Sequence, residues 1–219
     1  MNNLSIEQIE LGIKKVLDNS MSLIEEAKTL HDAGFFTRAF TLAHLAREEL
    51  SKINMLHAAE IYLLLEKPID WKRLKKRFNS HISKLYNDAL GTFINTEISQ
   101  DVDRKAFLKN MLSNVRGSNN WKNKSLYVDF DGKNFTSPTD IIKEHMSLRT
   151  IELALMSLSD YEYEFKAFSV IRTKGNDWLR EQFKSISDYI TFDNEWNTEL
   201  LLCINELTVE LRRNLKREE

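Results

Sequence analysis

The sequence predicts an all-α protein, and three features of its 219 residues favour that fold class. Only six residues are glycine and two are proline, whereas the pair makes up about 12% of an average protein. All-β and doubly wound α/β proteins need more frequent turn residues than this, so both classes are disfavoured. Hydrophobic residues make up 42% of the chain, which is enough for a buried core. Apolar residues also recur at steps of three and four, as helices require.

The first two predicted helices are marked by clear start and stop signals. Ser5 and Gln8 form a capping-box pattern ahead of an apolar stripe that continues to Leu30. Gly34 is suited to the left-handed residue that ends such a helix. A second helix is predicted over residues 35–66, because its apolar face persists until Pro68 stops it.

The middle of the chain is predicted to contain a basic helix and then a less regular segment. Asp70 is suited to cap a third helix with an apolar face from Trp71 to Ala89, and a weaker helix is predicted over residues 101–115. Residues 116–136 are polar and rich in asparagine around a β-like run, and Asp131-Gly132 is a tight-turn signal. We therefore expect a small β-like excursion near residues 124–135.

The clearest boundary in the sequence is the segment from Ser137 to Asp140. Its serine, proline and aspartate form a capping box with proline at the first helical position, so a helix is predicted from there to about Phe168. Residues 173–176 resemble a linker, followed by two predicted helices at about 177–190 and 194–217. We expect a helical domain over residues 1–170 and a C-terminal helical extension over residues 176–219.

Composition and missing motifs exclude several classes of function. A net charge of −2 provides no overall attraction to nucleic acid, and the single Cys203 excludes a cysteine-based metal cluster. The sequence carries no glycine-rich phosphate loop and no common metal-ligand motif. It also lacks a signal-peptide pattern and an apolar stretch of about 20 residues. We expect a cytoplasmic protein with no cofactor, no metal site and no membrane partner.

One segment is strongly basic. Residues 67–90 contain seven lysine and arginine side chains against two aspartates. On a continuous helix, four side chains of this segment would form one stripe, at steps of four and then three: Arg73, Arg77, His81 and Lys84. Arginine binds phosphate well, and histidine exchanges a proton near neutral pH, so the stripe is suited to phosphate chemistry. A solvated basic helix face with no ligand is the other interpretation.

Two neighbouring carboxylates lie on the second predicted helix. Glu48 is expected on its polar side, paired with Lys52. Glu49 is expected to point into the apolar stripe, where an unpaired charge is too costly, so it needs a partner, either His57 or a cation of the basic stripe. A catalytic carboxylate and a structural ion pair both fit this pattern. His44 is expected on the exposed side of the same helix.

Three motifs in the same order resemble the AbiV-type abortive-infection proteins, a branch of the HEPN superfamily of bacterial helical domains. The first is the helix Phe36–Lys52 with its Ala-rich, Glu-Glu-containing pattern. The second is the segment Arg77–Lys84, with its phenylalanine, histidine and lysine. The third is Leu126–Phe130 with Pro138 downstream. The resemblance spans about residues 20–160.

The resemblance implies an up-and-down helical bundle that forms a homodimer and defends bacteria against phage. Such proteins are toxic effectors that shut down the infected cell, and many HEPN relatives are metal-independent endoribonucleases with an Arg-x(4–6)-His motif. Arg77 and His81 are one residue too close for that motif, whereas Arg38 and His44 fit its spacing but diverge around a helix. We prefer the first pair, because steps of four place both side chains on one patch.

The leading hypothesis is therefore an antiphage effector that acts on RNA or translation. His81 would transfer the proton, Arg77 and Lys84 would hold the phosphate, and Glu49 would orient His81. Arg73 and Lys52 would add RNA affinity. The basic stripe would border a cleft lined by Glu48, Glu49 and Lys52. In the alternative, a non-catalytic module binds a ribosomal or phage protein through the 116–136 segment, where Tyr127 and Asp129 would matter most. A purely structural helical adaptor is the third hypothesis.

Overall fold

The computed structural model describes residues 3–64, 66–99 and 101–173, together with residues 177 and 181. Over these residues the chain is an all-α helical bundle with one two-stranded hairpin, which confirms the predicted fold class. Apart from residues 173, 177 and 181, the predicted linker and C-terminal helical pair lie outside the described residues, so the division into residues 1–170 and 176–219 stays a prediction.

The described elements follow one another with short connections. The larger helices are α1 (Ile6–Asp32), α2 (Phe36–Leu50), α3 (Lys52–Leu64), α4 (Trp71–Asn79), α5 (His81–Asn95), α6 (Arg104–Ser113), α7 (Val115–Leu126) and α9 (Glu144–Thr173). Between α7 and α9 lie the strands β1 (Asp129–Phe130) and β2 (Phe135–Thr136) and the short helix α8 (Pro138–Ile141). The two strands are antiparallel, with Phe130 opposite Phe135.

Helix α2 is the central element of the bundle. It packs against α1, α9, α7 and α5. Ala39, Ala43 and Ala46 of α2 are fully buried, and because their side chains are small they allow these helices to approach closely. The main core combines apolar side chains of α1, α2, α3 and α9. A smaller apolar cluster lies around Phe93, between α5 and α6.

The predicted helix ends are confirmed where the signal is local. The Ser5 hydroxyl accepts a hydrogen bond from the Gln8 amide at 3.3 Å, and the Gln8 side chain accepts from the Ser5 amide at 2.9 Å. Gly34 follows α1 with φ of +83°, where a side chain would be strained. Ser137 and Asp140 form the second predicted capping box.

The prediction of one continuous basic helix after Asp70 is wrong. The helix is interrupted at Ser80, which has an extended backbone (φ −87°, ψ 120°). The Ser80 hydroxyl accepts a hydrogen bond from the Ser83 amide. Serine is a favoured N-cap because its hydroxyl satisfies an otherwise unpaired amide. Arg77 therefore lies at the end of α4 and His81 at the start of α5, so the four basic residues do not share one helical stripe.

Two other predicted helices are also divided in the structure, and the one predicted from Ser137 to about Phe168 forms α8 and α9. The helix predicted over residues 35–66 is interrupted by a turn at Ser51, which separates α2 from α3. The β-like excursion predicted near residues 124–135 is confirmed as the hairpin of residues 129–136, whereas the polar residues before it form the helix α7. Helix α7 buries Val115, Lys122 and Ser125 in packing against α2 and α5, and that packing outweighs the weak helix propensity of its asparagines.

Candidate functional site

A fully buried carboxylate, Glu48 of α2, lies where α2, α5 and α7 meet. Its Oε2 atom lies 2.5 Å from Nδ1 of His81 and 2.9 Å from Nζ of Lys84. Its Oε1 atom accepts a hydrogen bond from Nζ of Lys122 at 2.8 Å. Together with His44, these residues are called the Glu48 cluster below, and they join three helices through one side chain.

The Glu48 carboxyl is ionised at neutral pH. Burial by itself would raise its pKa, but hydrogen bonds from Lys122, His81 and Lys84 outweigh burial and lower the pKa to about 2. Buried charges are tolerated when they are paired and hydrogen-bonded. The cluster is therefore a compact group of charges and not a single isolated carboxylate.

His44 is buried beside Glu48, so the expectation that it is exposed is wrong. Its side chain is 3% exposed, and its Nε2 atom lies 3.6 Å from Oε1 of Glu48, beyond hydrogen-bonding distance. Burial lowers the pKa of His44 to about 4 even though Glu48 opposes that shift. The imidazole is therefore neutral at pH 7.

His81 is the member of the cluster that reaches solvent. Its side chain is 54% exposed, whereas Glu48, Lys84 and Lys122 are all buried. Because Glu48 is ionised, the Nδ1 atom of His81 donates the hydrogen bond between them. Nε2 is then the ring nitrogen left to exchange a proton with a bound molecule, as in other carboxylate–histidine pairs.

Glu49 does not take the position expected for it. Its carboxylate lies 2.5 Å from Nζ of Lys52 and accepts a bond of 3.4 Å from the Asn19 amide. Glu48 and Glu49 are about 100° apart around α2, so placing the buried face of this helix one residue too far along the chain exchanges the two glutamates. Glu48 is the buried carboxylate beside His81, and Glu49 belongs to the partly exposed pair with Lys52, whose ammonium also lies 4.9 Å from the Phe78 ring.

The arginines of the basic segment lie on α4. Burial, and then the nearby Arg73, lower the pKa of the half-buried Arg77, whose guanidinium donates a bond of 3.4 Å to the Asn87 side chain. Arg73 and Arg77 are four residues apart on α4 and so share a face. Lys84 does not join that face, because a new helix, α5, begins after Ser80 and the Lys84 ammonium binds Glu48.

The remaining sequence-derived candidates are not in the Glu48 cluster. Tyr127 is 65% exposed just before the hairpin, and Asp129 is an exposed residue of β1 whose carboxylate accepts from the Phe130 amide. Arg38 is exposed whereas His44 is buried, so the structure does not bring this alternative pair together.

Sequence reasoning missed Lys122, and it also missed an ion pair next to the cluster. Arg47 of α2 lies 2.5 Å from the buried Asp88 of α5. Burial raises the pKa of Asp88, against the opposing effect of Arg47. Lys122 lies in the polar segment 116–136, and the signal that could have revealed it is the spacing of Val115, Lys122 and Ser125 by seven and three residues, as on one face of a helix.

Comparison with known proteins identifies the family. The AbiV family model of the HEPN domains matches residues 8–159. The chain belongs to the AbiV family. The match covers the helices that hold the Glu48 cluster, and the resemblance stated from the three motifs is confirmed. No curated protein and no solved structure matches the chain. Membership associates the chain with abortive infection, and none of its described helices is long and apolar enough to span a membrane.

Proposed function

We propose that this AbiV-family protein is a toxic abortive-infection effector that acts in the cytoplasm as a metal-independent endoribonuclease and thereby stops translation. The observation that carries the proposal is the half-exposed His81 held at Nδ1 by the buried, ionised Glu48. A carboxylate that fixes the tautomer and orientation of an imidazole is a recurrent arrangement for general acid–base catalysis.

In the proposed reaction, Nε2 of His81 accepts the proton of an RNA 2′-hydroxyl. The 2′-oxygen then forms a bond to the adjacent phosphorus, and the bond from phosphorus to the 5′-oxygen breaks. The 5′-oxygen takes a proton from a second acid and leaves as a hydroxyl, while a 2′,3′-cyclic phosphate remains. In a homodimer, His81 of the second copy supplies that acid.

The phosphate contacts are assigned to α4. Arg77 and Arg73 share a face there, and arginine forms the paired hydrogen bonds that phosphate accepts. Lys84 acts on the phosphate only indirectly, because its ammonium is buried against Glu48. Lys52, paired with Glu49, adds positive charge near α4, where it approaches Phe78.

The test combines toxicity with RNA cleavage. Induced His81→Ala protein should fold, lose toxicity and leave total RNA intact, whereas wild-type protein should cut RNA with or without EDTA. His31→Ala is a matched control, because His31 is a partly buried histidine that contacts Ser147, and it should retain both activities. Full toxicity of a well-expressed His81→Ala variant would contradict the proposal.

The exposed hairpin favours one alternative function. Four apolar side chains around it are more than half exposed: Tyr127, Val128, Phe130 and Phe135. Clustered exposed apolar groups are typical of protein interaction surfaces, so a non-catalytic module would bind a ribosomal or phage protein here. In that case, Phe135→Ser would remove toxicity and His81→Ala would not. RNA affinity that falls steeply with added salt would instead favour the nuclease.

A further inference from the structure

One member of the Glu48 cluster has no part in the proposed RNA chemistry, and that member is Lys122 of α7. Its side chain is 5% exposed, and its ammonium donates a hydrogen bond of 2.8 Å to Oε1 of Glu48. A lysine that is buried so deeply does not contact RNA. Any effect that Lys122 has on the site therefore acts through Glu48.

The two oxygens of the Glu48 carboxylate contact different helices. Oε2 lies 2.5 Å from Nδ1 of His81 and 2.9 Å from Nζ of Lys84, both on α5. Oε1 accepts its hydrogen bond from Lys122 on α7. The Nε2 atom of His44 is 3.6 Å from Oε1, which is too far for a hydrogen bond. Among the described residues, Lys122 is thus the hydrogen-bond donor to this second oxygen.

The rotamer preferences of glutamate do not fix the orientation of its carboxylate. The terminal torsion of this side chain has a broad distribution, so the carboxylate plane turns unless both oxygens are held. Lys84 does not supply the missing restraint, because it binds the same oxygen as His81. An ammonium is also a compact charge without the directional fork of a guanidinium. The restraint on Oε1 comes from Lys122.

Helix α7 is anchored to α2 next to Lys122. The Ser125 hydroxyl donates a hydrogen bond of 2.6 Å to the backbone carbonyl of Lys122, and it lies 2.7 Å from the Thr41 hydroxyl of α2. Ser125 is fully buried and Thr41 is 4% exposed, and buried polar groups are costly to separate from their partners. The backbone of Lys122 is therefore held against the helix that carries Glu48.

The tautomer of His81 depends on where Oε2 lies. A neutral imidazole donates through one nitrogen and accepts through the other, and its hydrogen bonds decide which nitrogen carries the proton. With the carboxylate oxygen beside Nδ1, the proton belongs on Nδ1 and Nε2 is the acceptor. If the carboxylate turned away, either nitrogen of His81 would carry the proton.

We propose that Lys122 is a positioning residue, which holds Oε1 of Glu48 so that Oε2 stays on Nδ1 of His81. The imidazole is thereby kept in the tautomer whose Nε2 accepts a proton. The effect of Lys122 on RNA cleavage rests on the proposed function, whereas its effect on the tautomer does not. In serine proteases, a change that leaves the histidine in the wrong tautomer lowers kcat about 10⁴-fold.

The first test is NMR of the full chain labelled with ¹⁵N-histidine, recorded above neutral pH. The His81 signals are identified by their absence from His81→Ala. Wild-type protein should carry the proton on Nδ1, whereas Lys122→Met and Lys122→Gln should give a mixture of tautomers. Lys124→Met is the matched control, because this exposed lysine of α7 lies over the Trp121 ring and does not contact Glu48. It should keep the wild-type tautomer.

The second test separates catalysis from binding. Lys122→Met should lower kcat for RNA cleavage at least tenfold and leave KM unchanged, because Lys122 does not touch RNA, and Lys124→Met should retain both constants. A rise in KM alone would overturn the proposal, since it would show that Lys122 contributes to binding. If wild-type protein leaves RNA intact, the proposed function fails, and the tautomer measurement still decides the role of Lys122.

Three further results would overturn the proposal. The first is a wild-type His81 that carries its proton on Nε2. The second is an unchanged tautomer in folded Lys122→Met and Lys122→Gln proteins. The third is loss of the folded state in both variants by circular dichroism, which would show that Lys122 supports the bundle as a whole and does not serve to position His81.

Discussion

Nδ1 of His81 lies 2.5 Å from Oε2 of Glu48, so a half-exposed imidazole on α5 is held by a fully buried carboxylate on α2. The same carboxylate also binds Lys84 and Lys122. The position of the proposed acid–base group is therefore tied to the stability of the bundle, and the two properties have to be measured separately.

Glu48→Gln should strongly destabilise the protein, whereas Glu49→Gln should not. Removing the carboxylate leaves Lys84 and Lys122 buried without their shared counter-charge, and breaking a buried pair typically costs about 3–5 kcal/mol. Glu49 is partly exposed and pairs with Lys52, so its loss should cost less than about 1 kcal/mol. Urea unfolding at pH 7 measures both changes in the free energy of unfolding. Equal losses in the two variants would contradict the assignment of Glu48 as the central charge.

Acid should weaken the fold through Glu48. Its pKa is about 2 in the folded protein against 4.5 for the free side chain, so its contribution is fully present above pH 4.5 and is lost as pH falls toward 2. The full difference corresponds to about 3 kcal/mol. Urea unfolding at pH 5 and pH 3 should show about 2 kcal/mol of this loss in wild-type protein. Glu48→Gln should lose less over the same interval, and an identical loss would count against the shift.

His44 should weaken the fold in a higher pH window. Its pKa is lowered from 6.5 to about 4 by burial, so the unfolded chain binds its proton first as pH falls. The neutral folded form is favoured above pH 6.5, and stability declines between pH 6.5 and 4. His44→Gln should therefore flatten the dependence of the unfolding free energy on pH between 7 and 4.5. An unchanged slope would mean that His44 titrates normally in the folded protein.

Gly91→Ala should destabilise the contact between α5 and α9. A Cβ atom at this position would collide with the Tyr161 hydroxyl and the Asn54 amide, which hydrogen-bond to each other at 2.7 Å. Overpacking of this kind costs about 1–3 kcal/mol. Tyr161→Phe removes the colliding oxygen, so in that background the same alanine should cost less. A double-mutant cycle by thermal unfolding measures the coupling, and additive effects would exclude it.

Ser80→Ala should lower stability by about 1 kcal/mol, because the hydroxyl caps α5 through the Ser83 amide. Ser80→Gly should lower the free energy of unfolding by only a few tenths of a kcal/mol, since glycine is tolerated at the N-cap position. Chemical unfolding of the two variants gives the comparison. A larger loss for glycine than for alanine would show that the break between α4 and α5 does not depend on capping.

Local signals predicted the fold class and several helix ends, but they did not predict the site. The capping boxes at Ser5 and Ser137 depend on residues three apart, and both were identified from the sequence. The break at Ser80 was missed because the apolar period continues through Phe78 and Ile82 across it.

The Glu48 cluster depends on contacts between distant segments. Glu48 and Glu49 differ by one helical step, and only the packing of α2 against α5 and α7 decides which of them is buried. Lys122 is 74 positions away from Glu48, in a segment whose composition favours a loop. Tertiary burial outweighed local propensity there.

One buried glutamate is the shared partner of two lysines that belong to different helices, and this arrangement restricts how the family can diverge. A lineage that replaced Glu48 alone would be left with two uncompensated ammonium groups in its interior, so the three positions should be inherited or exchanged as a set. Homologues that carry an apolar residue at position 48 should also have lost the cations at positions 84 and 122, and with them the support behind the histidine.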